Sequence, residues 1–330
     1  MFLLINYMLL FISSISSFLL SKFYFNHKGN SRWVSTWIQS AGYPLLLFPI
    51  YLPFYVFKST HRKPFTNFTP EILLLSICIG FFLGLNNLLL SWGFSYLSVS
   101  TNALVLSSQL LFTLIFSVII VKQKITYVNL NCVILLTLSL VLLALGSSHD
   151  KPKGLTTTKY FIGFFSTIGA GLMFALYLPL MVKIHRKVYC FSMILEMHMV
   201  MELTATIFVT LGMIIDGEFF EMIKEAKNVF DLGEKAYWLT VMFNVVTWQF
   251  LFLGSTGIVF LTNSLRGGVC QMVLMIINVL GGVIVYGDNF GGIKIVSTLL
   301  CVWGISSYLY GVYTCMNEEE ERKRQRLHID

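Results

Sequence analysis

Long apolar runs separated by short basic loops recur along the chain from Phe2 to Met316, and most of these runs hold no charged residue. Continuous apolar runs of about 18 or more residues predict helices that cross a bilayer, whereas the strands of a membrane barrel would alternate apolar and polar positions. Ten spans are predicted on this basis: 2–25, 33–57, 72–97, 101–121, 125–146, 160–182, 188–215, 237–253, 267–287 and 295–313. The first has neither the basic leading segment nor the small-residue cleavage site of a signal peptide, and is read as a helix. Pro44 and Pro179 are expected to bend their spans, and Gly80 with Gly84 forms a GxxxG pair suited to close helix contact. The segment 217–234 places Phe219, Phe220, Ile223, Ala226 and Phe230 at helical spacing among charged residues, which predicts a short amphipathic helix at the membrane surface.

Composition agrees with this pattern. Hydrophobic residues make up 56% of the 330 and charged residues only 12%, against about 25% charged in soluble domains. If the N-terminus is cytosolic, thirteen of the 23 Lys and Arg fall on that side. Both termini are therefore expected in the cytosol. The net charge of +7 then belongs to short loops beside the lipid bilayer and implies no nucleic-acid partner. Cys78, Cys132, Cys190, Cys270, Cys301 and Cys315 lie in or at the ends of apolar spans, without the spacing of metal ligands. No metal and no cofactor is expected. A phosphate-binding loop of the G-x-x-x-x-G-K-[ST] kind and a hydrolytic triad are both missing, so neither an ATP-driven pump nor an enzyme is predicted.

The chain also carries a weak internal repeat. Ser98-Val99-Ser100-Thr101-Asn102-Ala103 and Val259-Phe260-Leu261-Thr262-Asn263-Ser264 each lead into an apolar helix followed by one more span. Halves of five spans, 1–148 and 149–315, must insert with opposite orientation, followed by a charged cytosolic tail at 316–330. The predicted fold is an all-α integral membrane protein of ten transmembrane helices in a five-plus-five inverted repeat, with a substrate site near the midplane where the repeats meet.

Six stretches in combination resemble the plant purine permease family of the drug/metabolite transporter superfamily, over nearly the whole chain. They are Arg32-Trp33-Val34-Ser35-Thr36-Trp37 with Gln39, Gly84-Leu85-Asn86-Asn87-Leu88-Leu89, Ser107-Ser108-Gln109-Leu110, Lys159-Tyr160-Phe161-Ile162-Gly163, Asn244-Val245-Val246-Thr247-Trp248-Gln249 and Gly291-Gly292-Ile293-Lys294-Ile295-Val296-Ser297-Thr298. The resemblance implies a proton-coupled importer of purine nucleobases and related heterocycles such as cytokinins. It implies a plasma-membrane location, with vacuolar and endoplasmic reticulum membranes as alternatives. The chain departs from the family in having little of its N-terminal cytosolic segment and in its own closing tail. A nucleotide-sugar antiporter on the same fold would want basic residues at midplane, and a non-transporting sensor would have no need of inverted symmetry.

A purine is flat, with donors and acceptors on its edges, so its site calls for an aromatic face and for amides. Asn244, Trp248 and Gln249 combine both within one span, with Asn244 and Trp248 on one helix face. Asn86, Asn87, Gln109, Gln271 and Tyr177 are the further candidates for substrate binding, and Trp37, Gln39 and Trp92 are weaker ones. For each amide the alternative is a bond from helix to helix. Two carboxylates, Glu196 and Glu202, lie within an apolar span, where an acid must face water, a cation or a polar partner. Glu202, which shares a helix face with His198, is the first candidate for proton coupling, and Glu196 is the second.

Overall fold

The computed structural model describes residues 2–56, 58, 62–66, 68–121, 127–146, 155–185, 188, 190–261 and 264–327. Among these residues there is no strand. The helices, in chain order, are α1 Phe2–Asn26, α2 Arg32–Ile38, α3 Leu47–Tyr55, α4 Pro70–Tyr96, α5 Val99–Leu106, α6 Ser108–Val121, α7 Tyr127–Leu145, α8 Thr157–His185, α9 Phe191–Ile215, α10 Glu218–Lys224, α11 Glu234–Leu261, α12 Ser264–Tyr286 and α13 Gly292–Leu327. Eight stretches of helix among the described residues are long and apolar enough to cross a membrane, and Met272–Tyr286 is a shorter apolar one.

Helix starts follow local chemistry. Ser31 Oγ accepts from Val34 N at the head of α2, and Thr69 Oγ1 accepts from Ile72 N at the head of α4, where Pro70 takes the first helical position. Both caps satisfy amide groups that a helix start leaves without partners.

Three of the expected spans come out differently. The span 33–57 is broken: α2 stops at Ile38, a turn covers 39–42, and a 3-10 turn at Tyr43–Leu46 leads into α3. Pro44 lies in the break and Pro53 inside α3, and a proline offers no N–H to the helix behind it. The span 101–121 is divided at Ser107 into α5 and α6. The last helix does not end near 313 but continues through the charged tail to Leu327. There Glu318 stands four residues before Arg322 and Glu319 four before Lys323, a spacing that supports helix in water.

The principal contacts pair α1 with α11, α4 with α8 and α9, and α7 with α13. Gly80 and Gly84 make the approach of α4 to α9 possible: a Cβ on Gly80 would lie 2.5 Å from Met201 O, and one on Gly84 would lie 2.8 Å from a ring carbon of Phe208. Large apolar side chains such as Leu74, Leu211, Phe243, Ile284 and Trp303 point outward and are exposed, which suits a surface that meets lipid tails.

At one end the segment between α9 and α11 folds over the α1–α2 corner. The expected amphipathic helix is present as α10 followed by a π turn at Glu225–Val229. Its apolar side is divided: Ala226 and Phe230 are buried, while Phe219, Phe220 and Ile223 are exposed. Three carboxylates pin the segment down. Trp33 Nε1 donates to Asp216 Oδ2 at 2.8 Å, Tyr24 OH and Asn30 N donate to Glu225 Oε1 at 2.6 and 2.7 Å, and His27 Nδ1 meets Asp231 Oδ1 at 2.9 Å. Burial pushes the Glu225 carboxyl above its usual range, against the opposing pull of these hydrogen bonds.

Candidate functional site

The break between α2 and α3 is where the polar groups gather. Its consequence is chemical, because a helix that stops inside an apolar bundle brings the polar residues of its last turn to face neighbouring helices. Gln39 Nε2 donates to Ser35 O, to Ser91 Oγ at 2.8 Å and to Asn87 O at 3.3 Å, which ties the end of α2 to the C-terminal half of α4. Thr36 Oγ1 also bonds Ser91 Oγ, at 3.1 Å. On the other side of the break, Gly42 lies directly against Gln249 of α11: a Cβ there would sit 2.7 Å from Gln249 Oε1. Gln249 Nε2 in turn donates to Glu202 Oε1 of α9 at 3.3 Å.

Four helices thus contribute to one buried group of Gln39, Asn87, Glu202 and Gln249, each at most 3% exposed. Several polar atoms of this group and of the α2 end beside it have no hydrogen-bond partner among the described residues: Ser35 Oγ, Gln39 Oε1, Ser40 Oγ, Asn87 Nδ2 and Glu202 Oε2. Donors and acceptors left open side by side are what the edge of a heterocycle can fill.

Asn244 and Trp248 share a face of α11, as their spacing predicts, and both turn to α1. Asn244 Nδ2 and Trp248 Nε1 donate to Ser21 Oγ at 3.3 and 3.2 Å. The indole stacks on Phe18 at 6.1 Å and meets the edge of Phe94 at 6.4 Å. Gln249, one residue on, faces Gly42 and Glu202 instead, so the predicted trio serves two neighbouring groups of side chains. Asn86 is half-buried and reaches Asn87 Oδ1 at 3.4 Å. Gln109 is half-buried on α6 against Gly171 of α8. The side chains of Tyr177 and Gln271 lie outside the described part of the structure, as do Thr262 and Asn263 of the internal repeat.

The two acids of α9 have different surroundings. Glu196 is held by Arg62 in a two-pronged ion pair, at 2.9 and 2.8 Å, with Ser192 Oγ at 3.4 Å. Burial works against the Arg62 charge, yet the pairing with Glu196 outweighs it and holds the guanidinium above its usual range. Glu202 has the amide of Gln249, and among the described residues no ion pair reaches it. His198 bonds Thr256 Oγ1 of α11 at 2.9 Å.

Two features escape a reading of the sequence. Ser21 looks like one more small residue of an apolar span, although it joins α1 to both Asn244 and Trp248. Lys22 is not in a loop: it is buried, and its Nζ donates to Phe94 O at 3.1 Å and Leu97 O at 2.7 Å, at the closing end of α4. A lone lysine one turn from the end of an apolar span is the signal that was available for it. Among the described residues no three His, Cys, Asp or Glu side chains come together to hold a metal. A groove between α7 and α13, with Tyr127, Asn131, Trp303 and Tyr310 in its lining, contains none of the candidate site residues.

The chain matches a family model described as purine nucleobase transmembrane transport over residues 1–318. It is 60% identical over 300 residues to probable purine permease 4 of Arabidopsis thaliana, a match covering 91% of this chain and 78% of that one. It is 34% identical over 329 residues to purine permease 3 of the same plant, covering 98% and 93%. Among solved structures it is similar to one crystal structure with a TM-score of 0.53 at 14% identity, over 90% of this chain and 95% of the other. At that identity the likeness is one of fold.

Proposed function

This chain belongs to the purine permease family and is a multi-pass membrane transporter of purine nucleobases, and we propose that it imports them by coupling to protons through Glu202. The observation that carries the proposal is the state of that carboxylate. It is 1% exposed, it lies within an apolar helix, one oxygen takes the Gln249 amide and the other has no partner. A carboxylate in such a place draws in any donor within reach, and protonation releases that donor.

Gln249 then links the two cargoes. While Glu202 is ionised, the Gln249 amide is committed to it; once Glu202 is protonated, the amide is released to an edge of the purine. Asn87 and Gln39 supply further edge partners, and Asn244 with Trp248 supplies an amide and an aromatic face on the side toward α1. Proton and substrate therefore favour each other's binding, as coupled import requires. Glu196 is the weaker candidate, because both of its carboxylate oxygens are already held by Arg62 and Ser192.

The same reading takes the chain through the bilayer ten times. The broken segment α2–α3 and the helix α12 complete the count beside the eight long stretches, and the two halves, 1–148 and 149–315, form an inverted repeat. It makes the protein a transporter rather than an enzyme, admits cytokinins as related substrates, and places it in the plasma membrane. Uptake of radiolabelled adenine by cells without their own permease, with and without an uncoupler, tests it. Accumulation that the uncoupler abolishes is expected; accumulation that survives the uncoupler would remove the proton from the mechanism.

A further inference from the structure

α1 presents a buried polar face that the transport reading has used only at one end. Ser14, Ser17 and Ser21 are spaced by three and four residues, so they share one side of the helix, and all three are buried. At each end of this face an asparagine from another helix donates to a serine. Asn278 Nδ2 of α12 reaches Ser14 Oγ at 3.0 Å, and Asn244 Nδ2 of α11 reaches Ser21 Oγ at 3.3 Å. In both cases the amide oxygen, Asn278 Oδ1 and Asn244 Oδ1, is buried without a hydrogen-bond partner. The residues are 4% and 1% exposed.

The two arrangements match, and the seven residues from Ser14 to Ser21 set them about 10 Å apart along α1. Between them stands Phe18, its ring stacked on Trp248. Each serine holds the donor end of its amide, which fixes the carbonyl end in a direction where no hydrogen-bond donor among the described residues meets it. An unbonded acceptor withdrawn from water carries a standing cost, and it is a site for a donor that arrives and leaves. A purine nucleobase brings such donors, as ring N–H and exocyclic amino groups, on the rim of a flat face that suits Phe18 and Trp248.

We infer that Asn278 is a second substrate-recognition residue, whose Oδ1 accepts an N–H of the nucleobase at the midpoint of α1, beside Ser14. Asn244 Oδ1 accepts the same kind of donor at the first station, beside Ser21. The substrate then moves along α1 between two acceptors of one chemistry, and Ser14 is the positioning residue for Asn278. The inference rests on the transport reading.

The test is binding of radiolabelled adenine to the purified full chain, normalised to protein amount, with competition by 9-methyladenine and by N6,N6-dimethyladenine. Asn278→Ala should weaken adenine binding by about tenfold, the loss of one hydrogen bond to a buried acceptor. For the methylated base that lacks the donated N–H, wild type and Asn278→Ala should bind alike. Ser14→Ala, which leaves the acceptor in place, should keep the wild-type preference for adenine over that base. An unchanged affinity in Asn278→Ala, or an equal loss for adenine and both methylated bases, would reduce the Asn278–Ser14 pair to a bond between helices. If Asn278→Ala does not fold, Asn278→Ser is put to the same readouts with the same two outcomes. A wild-type chain that binds no adenine at all would overturn the transport reading, and this inference with it.

Discussion

Glu202 and Gln249 are 47 residues apart in the chain and 3.3 Å apart in space, and the proposed coupling rests on that distance. Glu202→Gln fixes the neutral form, so uptake of adenine against a gradient should be lost while exchange of adenine across the membrane persists, with less dependence on external pH than in the wild type. Undiminished pH-dependent accumulation by this variant would exclude Glu202. Gln249→Leu keeps the side chain's bulk but removes the amide that meets the purine edge and leaves that edge buried without a partner, a loss on the order of 1–3 kcal/mol. The apparent affinity for adenine should therefore fall about tenfold or more, read from the concentration dependence of uptake at matched surface abundance. Each of these residues stands out in the sequence, because an amide or an acid inside an apolar run is conspicuous. Their partners do not. Ser14 and Ser21 pass for ordinary small members of an apolar span, and Glu196 stands second to Glu202 without any sign in the sequence that Arg62, from a distant loop, lies against it. What a polar residue is for depends on what faces it, and that is set by how helices cross rather than by local pattern.

At the scale of elements, the GxxxG spacing of Gly80 and Gly84 is legible in the sequence, and it marks the contact of α4 with α9. Gly80→Leu would drive a side chain into the backbone at Met201, which cannot move aside; a destabilisation of about 1–3 kcal/mol is expected, visible as a lower Tm of the detergent-purified protein. The break between α2 and α3 is only partly legible. Pro44 announces a bend, but the stop at Ile38 and the turn through Gly42 depend on the close approach of Gln249. The surface segment α10 is predicted by its amphipathic pattern, whereas the burial of Glu225 beneath it is not, since charge alone argues for exposure. That burial has a measurable sign. A carboxyl whose value in the folded protein is raised above the ordinary 4.5 stabilises the fold fully below that ordinary value. The contribution is lost as pH rises through the raised one. Glu225→Gln keeps an oxygen acceptor for Tyr24 OH and Asn30 N and cannot ionise, so its Tm should gain on the wild type as pH rises from 4.5. A constant difference across that range would show that Glu225 does not titrate there.

At the scale of the whole molecule, the apolar runs specify a helical membrane protein without ambiguity, but they do not fix how many times the chain crosses. Eight stretches among the described residues qualify by length and hydropathy, and the two further proposed crossings fall on the broken segment α2–α3 and on α12. A pass interrupted at Gln39 to Gly42 gives up apolar length in exchange for polar groups within the bundle, and a count based on hydropathy alone passes over that kind of segment. Ten passes have a consequence that eight share and nine would not: both termini lie on one side. On the bias of Lys and Arg, that side is expected to be the cytosol. The native sequon Asn67-Phe68-Thr69, whose asparagine lies outside the described residues, then falls in the cytosol and should carry no glycan. The segment between Asp216 and Gly233, which covers the α1–α2 corner, lies on the opposite face. A sequon set in an insertion there, long enough to stand clear of the membrane, should be glycosylated in a eukaryotic host and shift the band on a gel until the glycan is removed. Glycosylation at Asn67, with none at the inserted site, would invert the molecule in its membrane.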